Sequence, residues 1–306
     1  MRAVVHDRFG GPEVLRVAEL AEPKTHLDSV LVRVKAAGVN PADLAMREGQ
    51  VARFVPTYFP VVPGWDVAGV VERAGPGAQE FAPDDEVVGY VRGEVAHGNG
   101  GYAELVAADV RTLARKPRNA SWAQAAALPL AGLTGYQAVG RLAVADGEVL
   151  LVHGAAGGVG SMATQIAVAR GARVIGTAAP GNHAYLRSLG AEPVRYGDGL
   201  VERVRALAPA GVDAVLDVAG RDALATTSAV GARGVRVATV VGSAYPGVLA
   251  VFARMYPADL AAVVALVEAG RLTVRVAASY PLERAADAHR ALAAGTVAGK
   301  IVLDVG

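Results

Sequence analysis

The 306-residue sequence is 53% hydrophobic and 19% charged, enough apolar material for one large or two medium cores and too much for a disordered chain. A formal net charge of +1 gives no electrostatic case for nucleic acid or an anionic membrane surface as partner. The absence of cysteine excludes disulfides, a thiol nucleophile and thiolate metal sites.

Taken in order, Met1–Asp7 shows no signal-peptide h-region, and the longest uncharged span, Ala120–Gly140, reads as buried core rather than a membrane helix. A cytoplasmic chain is expected. Residues 1 to about 118 read as β-rich. Strands are expected at Val30–Val34, Val67–Glu72 and Glu86–Val91, with turns at Gly75-Pro76-Gly77 and Pro83. From Ser121, which can cap a helix through Ala127, strands and helices alternate. Val149–Val152, Arg173–Thr177, Ala214–Val218 and Val235–Val241 read as short apolar strands, which implies a parallel sheet with right-handed crossovers. Asp259–Gly270 reads as a helix. A strand at Leu272–Ala277, a helix at Glu283–Ala294 and a last strand at Lys300–Leu303 follow.

The stretch Val149–Gly160 carries the strongest chemical signal. An apolar strand runs into Gly154-Ala155-Ala156-Gly157-Gly158-Val159-Gly160, and Ser161–Arg170 then has helical spacing, with Met162, Ile166 and Ala169 on one face. Residues without bulky side chains let backbone N–H groups approach a pyrophosphate, and the helix N-terminus adds partial positive charge. Gly157 and Gly160 fill the second and third positions of a G-x-G-x-x-G frame, with Ala155 at the first. An NAD-binding unit would place Asp or Glu on the ribose near Thr177, yet no acidic residue occurs from Thr177 to Ala191. That favours NADPH, with Thr177, Asn182, His183 and Tyr196 as polar contacts. The missing basic residue after the strand weakens the preference.

Further segments carry a family likeness: Phe9–Leu15, Ala37–Asp43, Pro63–Val71, Gly101–Glu104, Ala126–Thr134, the glycine turn and Gly299–Leu303. In this order they resemble the medium-chain dehydrogenase/reductase superfamily, in its zinc-free quinone oxidoreductase-like branch, over essentially the whole chain. The resemblance implies an α/β protein of two domains. A GroES-like β-rich barrel is formed by residues 1–120 and 273–306, and a Rossmann domain with a doubly wound parallel sheet by 121–272. It implies no metal site, since Trp65-Asp66 stands where zinc-dependent members carry His-Glu. It also implies a homodimer, through the edge strand near Val235–Val241.

Without a Lewis acid, hydride donation from NADPH to an electron-poor acceptor is the accessible chemistry. A quinone is the expected acceptor. An α,β-unsaturated carbonyl is the alternative, and a non-catalytic NADPH-binding protein a third reading. By resemblance, Asn40 and Asp43 lie near the substrate, with an Asn-Pro turn and a helix-start carboxylate as the plain alternatives. Thr134 contacts the nicotinamide amide or caps a helix. Tyr58 either donates a proton or walls the pocket. Trp65 fills the metal's volume. Ala156–Gly160, Val241, Ser243 and Lys300 complete the cofactor set, and Tyr90, Ser243 and Tyr245 line the acceptor side. Asp217 and His153 read as structural, and Asp84-Asp85 stands where relatives have Gly-Asp.

Overall fold

The computed structural model describes residues 1–96, 98–220, 223–242 and 246–306, with only the backbone of Ala96. In chain order the elements begin with the antiparallel pair β1 (Arg2–Val5) and β2 (Arg16–Glu19), then β3 (Ser29–Val39), α1 (Pro41–Arg47), β4 (Asp66–Ala74), β5 (Glu86–Tyr90) and α2 (Arg92–Ala96). Next come β6 (Leu105–Asp109), β7 (Leu113–Arg115), α3 (Trp122–Ala126) and α4 (Pro129–Arg141). The alternating region is β8 (Val149–His153), α5 (Gly158–Ala169), β9 (Arg173–Thr177), α6 (His183–Ser188), β10 (Ala191–Val194), α7 (Leu200–Leu207), β11 (Val212–Asp217), α8 (Thr227–Val230), β12 (Gly231–Thr239) and β13 (Leu249–Ala250). The chain then forms α9 (Pro257–Glu268), β14 (Val276–Pro281), α10 (Ala285–Ala293) and β15 (Lys300–Asp304).

Contacts divide the chain into two units: residues 1–130 with 255–268 and 274–306, and residues 131–254 with 269–273. The first is the GroES-like domain. Its seven-stranded sheet runs β14-β15-β3-β4-β5-β7, with β6 also pairing β3. β3 is eleven residues long and rich in valine. It carries β4 along one edge and, in succession, β6 and β15 along the other. Val30, Val32, Val34, Val67, Val87, Val106, Ile301 and Leu303 fill one core.

The second unit is a Rossmann sheet. Its strands are all parallel and run β10-β9-β8-β11-β12-β13. Counted from β8, this is the order 3-2-1-4-5-6, which reverses between β8 and β11 and so opens the ligand-binding crevice at their carboxyl ends. On one face Leu151, Ile175 and Val215 pack with Leu200 and Val204 of α7.

Two stretches fall on the other side of the expected boundary. α3 packs on β3 and β4, and α9 on β7, where Asn119 Nδ2 donates to Val267 O at 2.9 Å. Both therefore group with the first unit. Ser121 caps α3 as expected, by exchanging hydrogen bonds with Gln124. The strand expected at Leu272–Ala277 is displaced to Val276–Pro281. Leu272 and Val274 are buried, but it is Val276–Pro281 that alternates between half-buried and exposed along the edge of β15. Among the described residues no helix is long and apolar enough to cross a membrane.

Candidate active site

The first unit buries three ionisable side chains, Asp43, Asp66 and Lys300, in one connected set with the amide of Asn40. Asn40 precedes Pro41 and α1, and its backbone N–H donates to Asp43 Oδ2 at 2.8 Å, so Asp43 closes the helix start from its third position. The other Asp43 oxygen accepts the N–H of Gly64 at 3.1 Å. Gly64 has φ +102°, and a Cβ there would sit 2.3 Å from the Tyr102 ring, so no other residue fits.

Asp66 opens β4 with its carboxylate fully buried. Oδ2 accepts from Asn40 Nδ2 and Oδ1 from the N–H of Leu130, both at 2.9 Å. Lys300, at the start of β15, donates to Asn40 Oδ1 and to the Val39 carbonyl, and its ammonium lies 3.8 Å from Asp66. Since Lys300 only donates and Asp66 only accepts, the Asn40 amide can sit one way round. One of its two N–H bonds is committed to Asp66.

Burial sets the electrostatics. It pushes Asp43 up to about 7, against the pull of the Asn40 N–H, with the Asp66 charge adding to the rise. It pushes Asp66 up to about 6, against the charge of Lys300. It lowers Lys300, against the charge of Asp66. A second chain of contacts joins this set through Tyr102. The buried Arg47 donates to His289 Nδ1 at 2.8 Å, and His289 Nε2 lies 3.1 Å from the Tyr102 hydroxyl. Burial and the Arg47 charge drive His289 down to about 3. Burial raises Tyr102, and the charge of Asp43 adds to the rise.

The second unit carries the glycine turn at the carboxyl end of β8. Gly157 precedes α5 with an extended backbone and no side-chain cap, so the first-turn amides of a twelve-residue helix have no partner from within the helix. A Cβ on Gly157 would meet only Gly154 O, at 3.4 Å. A Cβ on Gly160 would strike that same oxygen at 2.3 Å, so this glycine serves the packing of helix on turn. Thr177 clasps the turn from β9: its Oγ1 accepts the Gly154 N–H at 3.0 Å and its carbonyl the Ala155 N–H at 3.1 Å. Open amides above uncrowded backbone fit a dinucleotide pyrophosphate. The amides of Gly158, Val159 and Gly160 would hold it, while Gly157, whose own N–H donates to Gly154 O at 3.1 Å, leaves the approach clear of a side chain.

The expected residues separate accordingly. Asn40, Asp43 and Lys300 come together in the first unit. Lys300, expected at the cofactor, has its ammonium buried on Asn40 and Asp66, because a desolvated cation needs a charged partner. Asn40 is 1% exposed and serves as a bridge. Tyr58 also departs from expectation. It is 64% exposed in an irregular loop and makes no hydrogen bond among the described residues, so nothing aims its phenol.

In the second unit Thr134 is buried inside α4, well past its first turn, and is not a cap. Ala156 is buried in the turn, Asn182 is half-buried, and half-buried His183 places Nε2 3.3 Å from the Ala178 carbonyl. Tyr196 and Val241 are exposed. Ser243 and Tyr245 lie outside the described residues. Asp217 is paired as expected, with the N–H groups of Ala219 and Gly220 and with Thr239. His153 is buried, but its Nε2 has no partner among the described residues.

Asp66, Arg47, Tyr102 and His289 were missed as members of the site. A charged residue heading the apolar run Val67–Val71, and an arginine four residues after Asp43 on one helix, were the available signals. Among the described residues no group of three or more His, Cys, Asp or Glu could hold a metal ion.

Residues 26–118 match the family model described as alcohol dehydrogenase GroES-like domain, and residues 189–303 the one described as zinc-binding dehydrogenase. The chain is similar to the quinone oxidoreductase of Homo sapiens, 32% identical over 330 residues that cover 99% of this chain and 97% of that one. It is likewise 32% identical over 312 residues to the chloroplastic NADPH-dependent alkenal/one oxidoreductase of Arabidopsis thaliana, covering 99% and 79%. A crystal structure of an NAD-dependent alcohol dehydrogenase superposes with a TM-score of 0.92 at 36% identity, covering 100% of both chains. Identity at this level across whole chains, on a GroES-like unit joined to a 3-2-1-4-5-6 sheet, means that the chain belongs to the medium-chain dehydrogenase/reductase superfamily, in its quinone oxidoreductase-like branch, and is a pyridine-nucleotide-dependent oxidoreductase.

Proposed function

We propose that the chain is an NADPH-dependent quinone reductase that works without a metal ion. The observation that carries this is the glycine turn, whose open α5 amides stand at the switch point of the sheet. The reduced cofactor, once bound, supplies a hydride to an electron-poor acceptor. The amides of Gly158, Val159 and Gly160 bind its pyrophosphate, and Thr177 holds the turn in shape. The uncharged end of β9, with no acidic residue from Thr177 to Ala191, leaves room for a 2′-phosphate beside Asn182, His183 and Tyr196. Thr134 is assigned to the nicotinamide amide. Asn40, Asp43, Asp66 and Lys300 act as positioning residues that stiffen the backbone around Gly64 and Trp65.

The likeness to the human quinone oxidoreductase favours a quinone as acceptor. The likeness to the alkenal/one oxidoreductase of Arabidopsis favours the second reading, reduction of an α,β-unsaturated carbonyl. Both need one acceptor pocket and no dedicated base. We place the protein in the cytoplasm as a homodimer joined near Val235–Val241.

Steady-state NADPH oxidation with 1,4-benzoquinones, 2-alkenals and enoyl thioesters, in the presence of EDTA, tests the proposal. Quinone turnover that survives EDTA is expected. Inactivity with every quinone would overturn the first reading, and tighter binding of NADH than NADPH in a fluorescence titration would overturn the cofactor assignment.

A further inference from the structure

We propose that Arg195, delivered from the end of β10 rather than from β9, is the cation that binds the 2′-phosphate of NADPH and sets the preference over NADH. This rests on the NADPH reading above.

A Rossmann unit reads the adenosine ribose at the carboxyl end of its second strand, here β9. No acid stands there to accept a 2′-hydroxyl, and no arginine or lysine follows in the chain before Arg187. The neighbouring strand supplies what β9 lacks. β10 pairs with β9 in parallel, with Pro193 beside Gly176 and Val194 beside Thr177, and the Ala178 N–H extends the ladder to Val194 O at 3.0 Å. The next step of that register puts Arg195 beside Ala178, one strand spacing of about 4.8 Å away.

Side chains alternate along a strand, which fixes the face on which Arg195 emerges. Val194 packs with Leu200 and Val204 of α7. Ala191 lies on the opposite face, where a Cβ on Gly176 would meet both it and Leu186 of α6. Carried one residue past β10, the alternation puts Arg195 with Ala191 and Pro193, on the face where the turn from β9 into α6 begins.

Arg195 is exposed, and its guanidinium has no hydrogen bond or ion pair among the described residues. Its backbone is fixed. Arg203 of α7 donates from Nε to the Arg195 carbonyl at 3.1 Å, and from Nη2 to the carbonyls of Gly197 and Asp198 at 3.3 and 2.7 Å. One guanidinium thus shapes the segment after β10 and leaves the other open to a ligand.

The nearby groups do not supply this charge. Arg203 is committed to three carbonyls. Arg187 lies in the last turn of α6, which runs back towards the amino ends of the strands. His183 directs Nε2 at the Ala178 carbonyl, 3.3 Å away, so its proton is there and the neutral Nδ1 only accepts. Asn182 and Tyr196 are neutral donors. The acids of the same segment, Asp198 and Glu202, are exposed and make no ion pair with Arg195. A phosphate monoester carries roughly −1.5 to −2 charge near pH 7, and a guanidinium meets it with two parallel N–H bonds. Among the described residues, Arg195 is the unpaired cation at this end of β9 and β10.

The test reads binding, not turnover. Fluorescence titrations of the full chain with NADPH and with NADH, and calorimetric titration with adenosine 2′,5′-bisphosphate, which lacks the nicotinamide, compare wild type with Arg195→Gln and Arg195→Lys. Arg195→Gln should weaken NADPH and the bisphosphate by about 10- to 100-fold, the range for a charged hydrogen-bonded pair, and leave the NADH dissociation constant nearly unchanged. Arg195→Lys should keep part of both affinities. Rising salt should weaken NADPH binding more in wild type than in Arg195→Gln. An NADPH-to-NADH affinity ratio in Arg195→Gln equal to that of wild type overturns the assignment while the NADPH reading stands. A wild-type protein that binds NADH more tightly than NADPH overturns both. The side chain is exposed and unpaired, so the variants should fold, and NADH binding serves as the check.

Discussion

Arg47 Nη1 lies 2.8 Å from His289 Nδ1, and a guanidinium has no lone pair to accept with. The imidazole must therefore be neutral with its proton on Nε2, pointing at the Tyr102 hydroxyl. We predict that His289 keeps this tautomer from pH 5 to 8, visible as invariant imidazole 15N shifts. His289→Ala should cost about 3 kcal/mol in urea denaturation, because it strands a buried guanidinium N–H. A titration of His289 within that range would contradict the geometry.

The two glycines of the turn should fail in different ways. Gly157 is extended and its Cβ site is open, so Gly157→Val should fold with an unchanged Tm while NADPH affinity falls more than tenfold. Gly160→Ala forces a Cβ onto Gly154 O and should cost about 2 kcal/mol of stability. Calorimetry and fluorescence titration on both variants check the pair. Equal losses of stability would remove the distinction.

Asp84 has φ +72°, in the left-handed region that non-glycine residues adopt at a cost. Asp84→Gly should stabilise the protein by about 1 kcal/mol without altering turnover. The neighbouring Asp85, which pairs with Arg115 and caps Ala82, should instead be weakened by substitution. Thermal melts of the two variants should move in opposite directions.

Asp43 and Asp66 have folded-state values pushed up to about 7 and about 6. The folded protein thus keeps protons that the unfolded chain gives up near pH 4. Their stabilising contribution is complete below that pH and is lost as pH rises to about 7. His289, depressed to about 3, acts in the opposite sense: its contribution is present above pH 6.5 and is lost as pH falls. The difference between wild type and Asp43→Asn isolates the carboxyl. Urea denaturation from pH 4 to 8 should give a curve for the variant that lacks the decline assigned to Asp43, on the order of 1.4 kcal/mol per pKa unit at most. Parallel curves would refute the assignment.

The Rossmann half was legible because its signals are local. A β-branched strand, a glycine turn and a helical period lie within twenty residues, and each is decided by its own sequence. The acidic–basic cluster was not. Asn40, Asp66 and Lys300 meet only because β15 pairs with β3 and β3 with β4, and no periodicity announces a contact across 234 residues. Lys300 is expected at the cofactor because a sequence shows its charge but not its burial. A Cβ on Gly135 would lie 2.9 Å from the Ala163 backbone, so this glycine inside α4 admits a close crossing with α5 that no local helix signal announces. For Tyr58 the sequence likewise shows the aromatic ring beside Phe59-Pro60 but not its exposure, which the loop sets at 64%.

The pairing of β15 with Ala36–Val39 has a consequence for biogenesis. On the ribosome, Asp66 appears long before Lys300, and at 5–20 residues per second the interval is roughly 10–50 s. Throughout that wait a nascent GroES-like unit holds two carboxylates and an amide with no counter-ion, and an open edge beside β3. The Rossmann unit, complete by residue 273, can mature first. Premature release of the chain before residue 300 should therefore leave one finished half attached to an unclosed one, a natural client for a chaperone.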